Sequence, residues 1–252
     1  MLTFCIPLKS KQVSNNWDNT TRLFNQTLYS AYNQTCSDFK ILVACHEIPD
    51  LYHNYDKRVE FLISDNPIPQ NPDEMMLDKG WKVHLMSLRL KELGAGYTMV
   101  LDSDDLVSNK LAEYVKENPK KNGFISKYGY VYNEGDYYLK KMAYLYRTCG
   151  SCTIINYSIE DLPENMPRNF YDGEIERKWI IRKCHRDIPK YLKSVGRKLS
   201  ILPFPSTIYV RNTGDNHSMI DGGNMSWKRA IELSLRNKIT INYKIKEEFS
   251  LK

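Results

Sequence analysis

Residues 39–45, Phe-Lys-Ile-Leu-Val-Ala-Cys, form a nearly continuous apolar run. A strand of this kind is buried on both faces, as strands are inside a parallel sheet covered by helices. The flanking sequence alternates to match. Residues 2–8 read as an apolar strand ended by Pro7, and residues 59–64 as a third strand. Between the first two strands, residues 15–33 carry Thr20, Phe24, Leu28 and Ala31 at helical spacing, with Asn and Asp residues to cap them. After a loop holding Pro67, Pro69 and Pro72, residues 79–93 read as a helix with Trp81, Leu85 and Leu88 on one face, ended by Gly94 or Gly96. Residues 97–101 are then a fourth strand. Strands separated by helical patterns predict βαβ units and a mainly parallel central sheet with flanking helices, an α/β, Rossmann-like fold.

The second half has a different texture. Residues 110–117 read as a short helix with Ser108 or Asn109 as cap, stopped at Asn118-Pro119. Residues 124–146 are tyrosine-rich, with Asn133-Glu134-Gly135-Asp136 as a hairpin turn, and residues 153–157 form another strand. Residues 174–198 read as helix in pieces broken near Pro189, residues 201–210 as proline-interrupted strand, and residues 226–237 as a closing helix. The expectation is one domain over residues 1–252, with residues 1–118 as a ligand-binding half and 119–252 as a mixed, acceptor-side half. A chain of 252 residues can bury a full core without staples. At 26% charged and 42% hydrophobic it is neither disordered nor fibrous. No apolar run approaches the roughly 18–20 residues of a membrane span. The opening residues lack a basic lead-in and read as a strand rather than a signal peptide, so a cytoplasmic location is expected. The six scattered cysteines then read as reduced, mostly buried thiols, and Cys149-Gly-Ser-Cys152 has no second pair with which to complete a metal site.

The chemistry concentrates in Thr98-Met-Val-Leu-Asp102-Ser-Asp104-Asp105, where an apolar strand delivers three carboxylates at its C-terminal end. Ligands of open α/β sheets bind outside the carboxyl ends of strands. Crowded carboxylates repel unless a cation neutralises them, and hard divalent ions prefer oxygen ligands. Mg²⁺ or Mn²⁺ held there would keep open positions for a diphosphate.

A strand ending in Pro, further βα steps and a strand running into Asp-x-Asp-Asp resemble the nucleotide-sugar-binding half of GT-A glycosyltransferases, most like the family 2 type. The likeness covers most of the chain, with its specific motifs in the first 110 or so residues. It implies that Leu8 and Lys9 line the nucleotide pocket, and that Cys45-His46-Glu47 occupies the loop that meets the base. It also implies that Asp102 faces the ribose or the metal-bound diphosphate and that Asp104 is the principal metal ligand. His217, in Gly214-Asp-Asn-His-Ser218, would reach the metal or diphosphate from the far side, with Ile220-Asp-Gly-Gly223 beyond it as a lid. Lys82 and Arg89, seven apart on the preceding helix, share a face and could meet phosphates.

An inverting transferase also needs a base for the acceptor hydroxyl. The matching stretch is Cys184-His185-Arg186-Asp187, which makes Asp187 the expected base, with Asp172 and Glu174 as further candidates; Glu160-Asp161 lies outside that pattern. The net charge of +6 is locally concentrated between Arg177 and Lys198, which could attract phosphate, a lipid-linked acceptor or an anionic membrane. No HTH, RRM or zinc pattern is present to organise nucleic acid. Tyr128, Tyr130, Tyr132, Tyr137 and Tyr138 could stack a sugar ring. Together these readings predict transfer of a sugar from a nucleotide-diphosphate sugar to a carbohydrate or glycolipid acceptor. A haloacid-dehalogenase-like phosphatase using Asp102 as nucleophile and Asp104 as acid/base, and a non-catalytic nucleotide-sugar binder, are the alternatives.

Overall fold

β1 (Leu2–Pro7) lies between two parallel neighbours, and all six of its residues are buried. The computed structural model that places it describes residues 1–170, 179–211 and 237–251. Alternate side chains of a strand point to opposite faces, so β1 feeds two cores at once. Phe4 and Ile6 join Phe24 and Leu28 of α1 (Trp17–Tyr32), whereas Cys5 joins Val83, Met86 and Leu90 of α2 (Pro72–Glu92). Each such fully buried apolar side chain contributes about 1.5–3 kcal/mol, which fixes the helices on either side of the sheet.

β2 spans Phe39–Cys45, β3 Val59–Ile63 and β4 Gly96–Val100, close to the bounds predicted from sequence. The large sheet has seven strands; it continues past β4 with β9 (Thr153–Tyr157), β6 (Gly123–Ile125) and β10 (Ser200–Ile201), in the order β10-β6-β9-β4-β1-β2-β3. β9 pairs antiparallel with both β4 and β6, while the other described pairings in this sheet are parallel. This is the mainly parallel α/β sheet with flanking helices that the strand–helix alternation implies.

Four readings of the sequence need correction. α2 begins at Pro72, not at residue 79. Asn71 Oδ1 accepts from Glu74 N at 3.0 Å, Glu74 reaches back to Gln70 N at 2.7 Å, and Pro72 sits in the first turn, where its missing N–H costs nothing. No helix joins β2 to β3, so that step is strand–loop–strand. The proline-interrupted segment is not one strand: β10 ends in the large sheet, and after Pro203 and Pro205 the chain enters a second sheet as β11 (Thr207–Arg211). Pro189 lies in the first turn of α4 (Ile188–Ser194) instead of breaking a longer helix. Residues 226–236 of the expected closing helix lie outside the described residues. The chain continues past them through β12 (Lys238–Thr240) into α5 (Tyr243–Phe249).

The second sheet has the order β12-β8-β7-β11-β5, with β5 at Leu106–Val107, β7 at Tyr128–Asn133 and β8 at Tyr138–Ala143. β7 and β8 form the expected hairpin, and Gly135 takes φ 93° in its turn, a left-handed value that glycine accepts without strain. α5 covers this sheet, with Phe249 edge-on to Tyr130 at 5.8 Å. α3 (Leu111–Glu117) has Lys110 at its start and no side-chain cap; the Ser108 hydroxyl donates to Glu248 at 2.7 Å and accepts from Lys110 N at 3.3 Å. Residues 101–105 form the corner at which the chain leaves the large sheet after β4 and joins the small one through β5.

Candidate donor site at the strand ends

From β1 the connectivity moves one way to β2 and β3, and the chain returns to the other side of β1 for β4. That reversal opens a crevice at the carboxyl ends of β1 and β4, where ligands of such sheets bind. Leu101 N donates to Cys5 O at 2.9 Å and Leu8 N to Ala44 O at 2.9 Å, so the ends of three adjacent strands are held in register there. A cavity of about 940 Å³ opens at this point, lined among others by Leu8, Lys9, Lys79, Asp102, Asp104 and Asp187. Its size suits a ligand as large as a nucleotide sugar.

The three acids of the corner separate by direction. Asp102 has its backbone N–H on Ser151 Oγ at 2.9 Å and its Oδ1 on Lys79 Nζ at 2.5 Å. Burial pushes Asp104 up to about 6, and the charge on Asp102 adds to that rise against the opposing pull of Lys79 and Lys9. Asp105 turns away from the cavity and is fully buried. Its Oδ2 accepts from Ser151 Oγ at 2.6 Å and Cys149 Sγ at 3.2 Å, and its Oδ1 from Val210 N at 3.2 Å. Burial pushes its pKa well above the carboxylate range, and Cys149, Asp104 and Asp102 add to the rise. Asp105 therefore ties the β4–β5 corner to the loop before β9 and to β11. Cys149 and Cys152 are free, buried thiols within that arrangement.

Lys82 is completely buried, with Nζ on Leu8 O at 2.7 Å and on Asp78 Oδ2 at 2.8 Å. Burial lowers its pKa, against the pull of Asp78. Its ammonium thus staples α2 to the end of β1, and it shares the cavity wall with Lys79 of the same helix. Burial tends to lower Lys79, but Asp102, with Asp104 and Asp105 behind it, reverses the sign and raises it. Arg89 is engaged elsewhere, by Glu60 at 2.7 Å and Glu92 at 2.6 Å, so the shared helix face does not bring it to the cavity with Lys82. Glu47 binds Ser10 Oγ and the Lys11 backbone N–H, which makes it a brace for the turn after β1.

Residues 181–188 supply further lining, bringing Arg182, Lys183, His185 and Asp187 to the cavity. Gly80 permits this closeness: a Cβ there would lie 1.7 Å from Arg182 Nη2. Asp187 is exposed at the start of α4 and makes no side-chain capping bond. His185, which sequence reasoning passed over in favour of Asp187, also lines the cavity; it is half-buried, and its Nε2 is buried without a partner among the described residues. Its only sequence signal was its place two residues before Asp187.

His217, residues 220–223, Asp172, Glu174, Arg177 and Lys178 lie outside the described residues. Asp161 is bound by Arg197 at 2.7 and 2.8 Å, which gives it a structural role. The tyrosines of β7 and β8 are on the second sheet; the tyrosines lining the cavity are Tyr157, Tyr191 and Tyr209. Among the described residues no helix is long and apolar enough to cross a membrane, and no group of three or more His, Cys, Asp or Glu is arranged to hold a metal. Asp102 and Asp104 do fit a hard cation: burial raises Asp104 and the charge on Asp102 adds to the rise, a repulsion that a divalent ion would relieve.

No protein-family model and no curated protein matches the chain. Solved structures do. TarS of S. aureus, residues 1–349 in complex with UDP-GlcNAc, is 12% identical with a TM-score of 0.46, over 92% of this chain and 64% of that one. A longer S. aureus TarS structure is 11% identical with a TM-score of 0.45, over 83% of this chain and 36% of that one. A putative glucose-1-phosphate thymidylyltransferase from Bacillus anthracis, in complex with a sucrose, is 11% identical with a TM-score of 0.41, over 98% and 99% of the two chains. The chain thus spans about one third to two thirds of the TarS chains it matches, and the chemistry of its cavity stands on its own residues.

Proposed function

We propose that this chain is a glycosyltransferase that moves a sugar from a nucleotide-diphosphate sugar to a hydroxyl of a carbohydrate or glycolipid acceptor. One observation carries the reading: two carboxylates and two lysines, Asp102, Asp104, Lys9 and Lys79, meet on a large cavity at the carboxyl ends of β1 and β4, where the strand order reverses. Leu8 and Lys9 would flank the nucleotide, and Lys79 would turn from Asp102 to the diphosphate. Mg²⁺ or Mn²⁺ held by Asp104 and Asp102, with His217 as the further ligand expected from sequence, would neutralise charge on the leaving diphosphate. Two further cations on the cavity lining, Arg182 and Lys183, would offset the remaining negative charge and orient the donor.

Turnover tests this reading. Incubation with UDP-, GDP-, CMP- and dTDP-sugars in Mn²⁺ should release free nucleotide from one class, and Asp104→Asn should abolish the release. Release of phosphate from p-nitrophenyl phosphate, with every nucleotide sugar left intact, would replace the transferase with a phosphatase. Nucleotide binding with no release under any acceptor would leave a binder.

A further inference from the structure

The open end of the β7–β8 hairpin gathers cations without acids. Lys127 Nζ lies 5.2 Å from the centre of the Tyr128 ring and 5.7 Å from that of Tyr144, and Lys141 Nζ lies 5.4 Å from that of Tyr128. The Arg147 guanidinium lies 5.1 Å from the Tyr144 ring centre and 6.0 Å from that of Tyr146, and these two rings meet edge-on. Tyr144 takes φ 56°, a left-handed value uncommon outside glycine, and its N–H donates to Lys127 O at 2.6 Å. That corner brings its ring to both Lys127 and Arg147. Tyr128, Lys141, Tyr144 and Arg147 are exposed. Among the described residues none of the three cations has a carboxylate partner. The acids of this stretch, Glu134 and Asp136, sit at the hairpin turn, about 20 Å away along β7. An aromatic face holds a cation in place without cancelling its charge, as a carboxylate would.

The patch runs into the cavity. Arg147 closes a 3₁₀ turn (Leu145–Arg147) and is followed directly by Thr148, Cys149 and Gly150, all three of which line the cavity. Three residues of chain span at most about 11 Å. A Cβ on Gly150 would sit 3.3 Å from Asp102 Oδ2, so the patch ends close to the carboxylates of the donor site. Resting on the donor reading above, we propose that Lys127, Lys141 and Arg147 form the acceptor subsite, and that the acceptor is an acidic glycan, an oligosaccharide carrying carboxylate or phosphate groups. Such a chain lies across the patch with its anions on the three cations and one hydroxyl at the cavity. The ammonium groups occupy ring faces, which leaves the tyrosines poorly placed to stack the bases of a single-stranded nucleic acid. Continuity into a cavity favours a chain with an end to insert over a flat lipid surface.

The full chain is titrated with labelled oligogalacturonate and with phosphorylated maltodextrin, which separate carboxylate from phosphate. Plain maltodextrin, vesicles of phosphatidylcholine and phosphatidylglycerol, and poly(U) RNA are the comparisons. Two triple variants are measured alongside: Lys127→Gln with Lys141→Gln and Arg147→Gln, and Lys57→Gln with Lys116→Gln and Lys120→Gln, which removes equal charge from exposed sites elsewhere. The expected result is salt-sensitive binding of an acidic glycan in preference to maltodextrin, weakened about tenfold or more by the first triple and less than about threefold by the second. The single variants Lys141→Gln and Arg147→Gln, each expected to lose a few-fold, carry the test if the first triple lowers the thermal midpoint. Equal losses in both triples would reduce the patch to net charge and overturn the proposal. Maltodextrin bound as well as the acidic glycans would overturn it too, as would vesicles or RNA bound in their place. Failure of the unmodified chain to bind any nucleotide, with glycan binding intact, would instead overturn the donor reading and the acceptor role that rests on it.

Discussion

Asp104 and Asp105 are neighbours in sequence, and burial pushes both above the usual carboxylate range, yet they face opposite surroundings. On the cavity side, Asp104 and Asp102 stand close together with one ammonium, Lys79, bonded to Asp102. On the inner side, Asp105 receives Ser151, Cys149 and the Val210 N–H. The cavity side stores repulsion that a bound cation would release, whereas the inner side uses the same functional group to join two sheets. Ser151 links them, donating to Asp105 while accepting from the backbone of Asp102. The difference teaches that an Asp-rich corner is two devices, one for a ligand and one for the fold, and that their mutational signatures should have opposite signs.

The largest effect should come from the buried pair beneath the cavity. Lys82→Met strands the Asp78 carboxylate and the Leu8 carbonyl, and should destabilise by about 3–5 kcal/mol in urea unfolding. A change near zero would mean that the staple between α2 and β1 is not needed to build the cavity. Next comes Asp105→Asn, which puts an NH₂ group where a donor now points. It should cost about 1–3 kcal/mol and lower the thermal midpoint.

Asp104→Asn should go the other way in ligand-free protein, adding on the order of 1–2 kcal/mol while removing donor turnover. The pH dependence follows the same logic. The folded-state value of Asp104, about 6, lies above its ordinary 3.8, so protonation favours the folded state. The gain grows as pH falls from about 6, is complete below about 4, and is lost again as pH rises through 6. Unfolding measured at pH 7 and pH 4.5 should show this component in the unmodified chain and not in Asp104→Asn. If both acids lowered stability alike on substitution, the division into two faces would be wrong. The smallest effect should be that of Gly150→Ala, whose Cβ would sit 3.3 Å from Asp102 Oδ2. It should leave stability within about 1 kcal/mol and weaken Mn²⁺ or nucleotide binding a few-fold, read by titration.

Much of the ligand side was legible in sequence because it is made of strands buried on both faces. The bounds of β2 and β9 follow directly from apolar runs, and the strand into Asp102-Ser-Asp104 announces where a parallel sheet delivers its acids. The start of α2 was hidden by counting Pro72 as a loop residue, although Asn71-Pro72-Asp-Glu74 is a helix-opening signal. The separate fate of Asp105 was not legible, since its partners come from β11 and from the loop before β9, set by tertiary packing. The same holds for His185, which reaches the cavity wall through tertiary packing. Local pattern finds strand ends; it does not find what tertiary packing brings beside them.

The central claim is that the cavity face of the corner binds a nucleotide diphosphate together with a divalent cation. Thermal-shift titration of UDP, GDP, CDP and dTDP, each with and without Mn²⁺, on the unmodified chain, Asp104→Asn and Asp105→Asn tests it most directly. The account predicts a Mn²⁺-dependent rise in midpoint with one nucleotide, absent in Asp104→Asn and still present in Asp105→Asn from its lower starting point. A shift of equal size in Asp104→Asn, or none with any nucleotide in the unmodified chain, would contradict it.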